Sequence, residues 1–198
     1  MKPRRGKSEP HFLNAVIALA YALEAKDIYT SGHSQRVAKI SVAIARELDM
    51  PRDSIEKIGL TRLIHDIGKI GVRESVLNKP DRLTDEEFHQ VKRHCEMGEH
   101  MLYPIADDEE ILMMVRHHHE RYDGTGYPDE LSGEHIPLGA RILAVADAYD
   151  AMTSERPYRE AMSDETACAE LEHCKGTQFD PEVADAFLRS RRSTSSVV

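Results

Sequence analysis

The stretch Ile64-His65-Asp66-Ile67-Gly68-Lys69 decides how the rest of this chain is read. It sets an imidazole beside a carboxylate, with a lysine one helical turn beyond, inside an apolar pattern. Adjacent His and Asp can grip one metal ion, the carboxylate can bridge to a second, and the lysine can face a phosphate. The dipeptide alone carries little weight, because a chain this rich in His and Asp contains about one such pair by chance. Its meaning depends on further donors arriving from elsewhere.

The 198 residues suffice for one domain with a real core. A formal net charge of −9 and a pI near 5.7, with basic residues scattered through the body, argue against a nucleic-acid backbone as partner. A small phosphate ligand in a local basic or metal-bearing pocket stays compatible. The three cysteines, Cys95, Cys168 and Cys174, are odd in number and form no CxxC pair, so a reducing cytoplasm is expected rather than a disulfide framework. Lys2, Arg4, Arg5 and Lys7 precede an apolar run too broken for a signal peptide. No segment approaches the ~20 apolar residues that span a membrane. Eleven histidines stand out more than the charge, imidazole being the commonest transition-metal ligand.

Periodicity predicts an all-α domain of seven to eight helices over residues 11–189, with a flexible basic segment 1–10 and a disordered Ser/Arg-rich tail 190–198. The first helix is striped by Phe12, Ala15, Val16, Leu19 and Leu23, and the second by Val37, Ile40, Ile44 and Leu48. Asp53 is the expected N-cap of a third helix, which delivers His65 and Asp66 near its end before Gly68 and Gly71 release the chain into a loop. Thr84 and Glu87 form a capping-box pattern for a fourth helix striped by Phe88, Val91, Cys95, Gly98 and Leu102. A fifth runs from Asp108 to His117-His118-His119. Gly and Pro density forbids regular helix over 120–137, a long loop of the kind that carries function. Helix resumes over 138–152, with Asp147 embedded among apolar neighbours, and two shorter helices follow at 163–174 and 181–190, the last capped by Asp180 with Pro181 at its first position.

Four apolar helices therefore carry donors on or beside an inward face: His65-Asp66, His94, His118-His119 and Asp147. His33 adds a fifth position at a helix start. A lone His33 or His94 would more often be an ordinary satisfied histidine. Asp147 is harder to set aside, since a buried carboxylate needs a charge partner or a metal. Five imidazoles and two carboxylates suit a binuclear site for Fe or Mn better than a four-ligand structural zinc site or an oxygen-only Ca or Mg site.

At these residues the chain resembles the HD-GYP domains, the cyclic di-GMP phosphodiesterase branch of the HD phosphohydrolase superfamily. The matching segments are 27–38, His65 to Gly71, His118-His119-Glu120 through Gly126-Tyr127-Pro128, Arg141 through Asp147 to Arg159, and Gly176 to Pro181. The resemblance covers residues 12 to 188, and the His118–Pro128 segment is its most specific part. It implies two divalent ions, Fe or Mn, held by His33, His65, Asp66, His94, His118, His119 and Asp147, with Asp66 bridging. It places Lys69 against the scissile phosphate, has Arg156 and Arg159 hold the substrate's phosphates, and makes Gly126, Tyr127 and Pro128 line the pocket. The same loop can dock a partner protein such as a diguanylate cyclase domain.

There are departures from the family pattern. Cys95 and Arg73 stand where prolines are usual, and Tyr29 stands where some members have a carboxylate for a third metal, which favours two. His117 makes a triplet of the doublet, and register to Glu120 leaves it outside. The implied reaction is attack of a metal-bridged hydroxide on one phosphodiester of cyclic di-GMP, giving pGpG and, after a second cut, GMP. Hydrolysis of another cyclic dinucleotide, or a non-catalytic sensing or docking module, are the alternatives. No sensory domain precedes Phe12, so regulation is expected from a homodimer, a partner or a region outside this chain.

Overall fold

The computed structural model describes residues 18, 32–106, 108–155 and 160–195, with side chains to residue 192. The expected first helix apart from Ala18, the segment 1–10, Tyr29, Arg156 and Arg159 lie outside the described residues. Within them the chain is all-α: α1 (His33–Glu47), α2 (Arg52–Ile64), α3 (Glu74–Leu77), α4 (Asp85–Lys92), α5 (His94–Leu102), α6 (Glu109–His117), α7 (Leu138–Thr153), α8 (Asp164–His173) and α9 (Pro181–Ser195). Two 3-10 segments, Ile67–Gly71 and Gly133–His135, complete the list. Among the described residues only isolated bridges occur in place of strands.

Helix α1 is the central element, packed against α2, α7 and α9. Its stripe is the expected one, with Val37 and Ile44 fully buried and Ile40 and Leu48 packed at the margin. Ile58 and Ile64 of α2, Met114 and Val115 of α6, Ile142 and Val145 of α7 and Phe187 of α9 close the core around it. Each such fully buried aliphatic contributes about 2 kcal/mol through removal of apolar surface from water. The Thr84–Glu87 capping box is formed, and Asp180 accepts from Glu182 N at 2.8 Å while pairing with Arg141.

Four expectations change. The helix foreseen over 84–102 breaks at Arg93, because the His94 ring donates from Nδ1 to Val91 O at 2.5 Å. An unbroken helix would give that carbonyl to Cys95 N–H. Phe88 lies outside the core, 45% exposed and edge-on to Tyr127. Asp53 does not cap α2: the break is made by extended Pro51, and Asp53 sits in the first turn, 3.4 Å from Lys57. Residues 67–71 are a packed 3-10 turn rather than a loop, followed by the single-turn α3, so the described helices number nine. Finally, α9 runs on to Ser195, beyond the end expected at 190. Arg189 pairs with Glu47 at 2.9 Å, and Arg191 pairs with Asp164 at 2.8 Å and lies over the Tyr149 ring, so the arginines anchor that turn.

Gly68 is required by proximity. A Cβ there would stand 1.9 Å from His94 O and 2.6 Å from Gly98 N, both backbone atoms of α5. The 3-10 turn and α5 can touch this closely only without a side chain between them. The irregular loop 120–137 is pinned at its base: Asp123 N donates to Thr177 O at 2.8 Å and Tyr122 N to Gln178 O at 3.2 Å. The Gly176–Pro181 segment thus braces the loop.

Gly68→Ala is expected to destabilise the domain by about 3 kcal/mol, as overpacking against backbone that cannot yield. Urea unfolding of the two proteins would measure it.

Candidate metal centre

Helix ends deliver most of the donors. His33 opens α1 after Gly32, whose φ of +70° turns the chain into the helix. His65 and Asp66 follow α2, His94 opens α5, and His118 and His119 follow α6. Asp147 comes from the middle of α7. Helix ends leave backbone groups unpaired, and here the imidazoles use them. His65 Nδ1 faces Arg62 O at 2.7 Å, His94 Nδ1 faces Val91 O at 2.5 Å, and His118 Nδ1 faces Val115 O at 2.7 Å. His33 Nδ1 faces Asp150 Oδ2 at 2.7 Å. Each Nδ1 proton is thereby committed, and the neutral rings of His65, His94 and His118 turn a bare Nε2 toward the common centre.

The centre is Asp66, 7% exposed. Its Oδ1 lies 3.4 Å from His94 Nε2 and 3.9 Å from His118 Nε2, whereas its Oδ2 lies 3.5 Å from His65 Nε2. His33 Nε2 is 3.2 Å from Asp147 Oδ1. Two donor sets result, His33/His65/Asp66 and Asp66/His94/His118/His119, each with donor atoms within 4.8 Å of one another and with Asp66 in both. His94 and His118 bring their Nε2 atoms to 3.3 Å. With both Nδ1 protons given to carbonyls, two lone pairs face each other there, an arrangement a shared cation reconciles. The donor set fits divalent metal.

Charge follows the same logic. Burial, first, lowers the pKa of His65, His94 and His118, and brings His119 down to about 3. For His33 burial also pulls down, but its bonds to Asp147 and Asp150 outweigh it and lift the ring to about 9. Burial works against ionised Asp66 and Asp147 as well. Lys69 and the surrounding imidazoles hold Asp66 well below the usual range, and His33 does the same for Asp147. The result is four neutral imidazoles, His65, His94, His118 and His119, around anionic oxygen, with His33 a cation paired to Asp147 and Asp150.

All seven side chains expected as donors therefore converge. Lys69 is with them, its Nζ 2.8 Å from Asp66 Oδ2. A cavity of about 380 Å³ opens onto the group, lined by His33, Asp66, Lys69, His94, His119, Tyr127 and Asp147 among others. Asp147 is less enclosed than its apolar neighbours suggested: its side chain is 27% exposed, because it faces this cavity while Val145 and Ala146 point into the core. Of the loop triplet, Tyr127 lines the cavity, its ring 5.0 Å from that of His119. Gly126 and Pro128 are not among the lining residues. Gly126 is instead needed where the loop folds back, since a Cβ there would meet Arg121 N at 2.3 Å. His117 stays outside the cluster, though buried, and Cys95 lies under it with Sγ 3.6 Å from His94 Nε2.

Asp150, Arg36 and Lys79 also line the cavity and were missed. Asp150 is 2% exposed and holds both His33 and Arg36, the latter with Nε at 2.5 Å from Oδ1. Its spacing of three from Asp147 on one helix was the available signal. Lys79 donates to Glu87 Oε2 at 2.6 Å, from a segment that carried no motif.

Among known proteins, the chain matches the HD domain family model over residues 18–183. It is 43% identical over 178 residues to the cyclic di-GMP phosphodiesterase PA4108 of Pseudomonas aeruginosa, covering 89% of this chain and 42% of that protein. It is 41% identical over 177 residues to the 3'3'-cGAMP-specific phosphodiesterase 3 of Vibrio cholerae, covering 88% and 38%. The crystal structure of the cyclic GMP-AMP specific phosphodiesterase V-cGAP3 of V. cholerae superposes with a TM-score of 0.74 at 19% identity, over 93% of this chain and 49% of that one. The chain thus spans less than half the length of these curated relatives. With an all-α fold, a His-Asp pair at its centre and the His118–Pro128 segment beside it, this chain belongs to the HD domain family, in its HD-GYP branch.

Proposed function

We propose that this chain is a cyclic-dinucleotide phosphodiesterase domain that opens cyclic di-GMP to pGpG with two divalent ions, Fe or Mn. The observation that carries the reading is the orientation of Asp66, with one oxygen toward His94 and His118 and the other toward His65. A carboxylate so turned is suited to bridge two ions. His33, His65 and Asp147 would hold one of them, and His94, His118 and His119 the other. Imidazole-rich sets with few carboxylates favour mid-series transition metals over Mg or Ca. Such ions supply Lewis acidity and a nucleophilic water at neutral pH.

The chain's own residues do the rest. Three backbone carbonyls fix the tautomers of His65, His94 and His118, so that each of these rings presents a lone pair, and Asp150 holds His33 in position. Lys69, on Asp66 and lining the cavity, offers an ammonium where charge grows on the phosphoryl oxygens. Tyr127 walls the cavity beside His119. Arg156 and Arg159, by their positions in the sequence, would orient the phosphates through charge-assisted hydrogen bonds.

A cyclic GMP-AMP substrate is the second reading, favoured by the 41% identical relative that carries that name. The donors around Asp66 do not read a base, so the two readings share one metal centre. Full retention of the seven donor positions speaks against a purely docking module. No helix among the described residues is long and apolar enough to cross a membrane.

Anaerobically purified protein, incubated with cyclic di-GMP and with 3'3'-cGAMP, is expected to release pGpG faster than the cGAMP product, read by chromatography. Absence of hydrolysis of both by metal-loaded protein would sink the reading. Asp66→Ala is expected to lose metal and turnover together, measured by elemental analysis and product formation. Asp150→Ala should keep the fold but weaken metal binding about 10- to 100-fold, because His33 loses the partner that orients it; a competition titration against a chelator would measure this.

A further inference from the structure

Among the described residues, His117 is the buried histidine that the metal centre leaves unused: it is 1% exposed and its Nε2 lies 2.8 Å from Asp129 Oδ2. Asp129 follows the Tyr127-Pro128 pair directly. Arg116 grips the same carboxylate from both sides, Nε to Oδ2 at 2.6 Å and Nη2 to Oδ1 at 2.8 Å. The backbone is held too, since Asp129 N donates to Glu120 Oε1 at 2.8 Å, and Glu120 is 3% exposed. Arg116 also reaches Glu99 Oε2 at 2.7 Å, so α5 and α6 are tied into the same network. The group does not read as a cation site: the His117–Asp129 separation is a hydrogen-bond distance, and Arg116 occupies both carboxylate oxygens.

Tyr127, two residues before Asp129, is held in its own way. Its N donates to His119 O at 3.3 Å, and its ring lies 5.0 Å from the His119 ring at 33°. One residue, Pro128, separates it from Asp129, so a shift at Asp129 passes to Tyr127 with little slack. Bidentate Arg–carboxylate pairs fix orientation as well as distance.

We propose that Asp129, clasped by Arg116, His117 and Glu120, is the positioning residue that sets the Tyr127 wall of the cavity and thereby the fit of the substrate's larger, nucleobase-bearing part. The substrate half of this inference rests on the phosphodiesterase reading; the clasp itself does not. Asp129 touches no donor of the metal centre, so its loss should leave the metals and the reacting phosphate in place.

The test uses the full chain, loaded with Mn, as wild type, Asp129→Ala and Asp129→Asn, the last keeping shape and the backbone bond to Glu120. Hydrogen–deuterium exchange is expected to rise about tenfold over residues 121–131 in Asp129→Ala, with 138–153 unchanged. KM for cyclic di-GMP should rise about tenfold while kcat stays within about twofold. Hydrolysis of bis(p-nitrophenyl) phosphate, too small to use the Tyr127 wall, and metal content should match wild type. Asp129→Asn should fall between the two, and it is read in the same way if Asp129→Ala does not fold. Unchanged exchange overturns the clasp. Equal losses on both substrates, or loss of metal, overturn the assignment to the Tyr127 wall. If wild type hydrolyses no cyclic dinucleotide, the phosphodiesterase reading fails, while the exchange result still decides the clasp.

Discussion

The structure depends on one repeated hydrogen bond, an imidazole Nδ1 held against a fixed oxygen. Three of the oxygens are main-chain carbonyls at helix ends, Arg62, Val91 and Val115, and the fourth is Asp150. Each carbonyl bond fixes a tautomer that aims a lone pair inward, and the Asp150 bond holds the His33 ring in place. Without them the same histidines would be free to protonate and repel one another around Asp66. The break at Arg93 follows from the same bond, since the ring of His94 takes a carbonyl the helix would otherwise use. The fold gives up a turn of regular helix to orient a donor.

Packing then places the anion. Gly68 lets the 3-10 turn after Asp66 press on α5, with its backbone touching that of His94 and Gly98. Asp66 is thereby brought between imidazoles from α5 and the end of α6 on one side and His65 on the other. Lys69, three residues on, closes over Asp66 and reaches the cavity. A buried carboxylate with a single cation partner would be a costly arrangement, and divalent ions held among the surrounding donors would relieve it. The long loop serves the same centre from outside, its base pinned by Thr177 and Gln178 and its far end by Arg116.

Much of this was legible before any coordinates. The stripe of α1, the capping box at Thr84, the cap at Asp180 and the irregular 120–137 segment are local patterns, written in residues a few positions apart. The seven side chains gathered around Asp66 were legible as candidate donors because their types, in that order and beside Gly126-Tyr127-Pro128, resemble one family. Less was legible where the cause lay across the fold. Phe88 fits an inward stripe and yet stands half exposed against Tyr127, on a helix that ends before His94 instead of running on with it. Asp147 sits among apolar residues and yet faces a cavity, while Asp150, one turn on, is the buried one. Arg191 reads as part of a loose tail and yet holds the last turns of α9 through Asp164, as Arg189 does through Glu47.

By itself the sequence determined the helical class, the elements of the core and the chemical kind of the centre, because apolar period and donor type are properties of short segments. Tertiary structure decided which oxygen of Asp66 meets which histidines, that Asp150 rather than solvent orients His33, and that His117 and Asp129 lock the loop instead of joining the donors. These depend on where helix ends meet, at distances of a few ångströms between residues tens of positions apart. No local pattern encodes such meetings; only the packing of α1, α5, α6 and α7 around one buried carboxylate does.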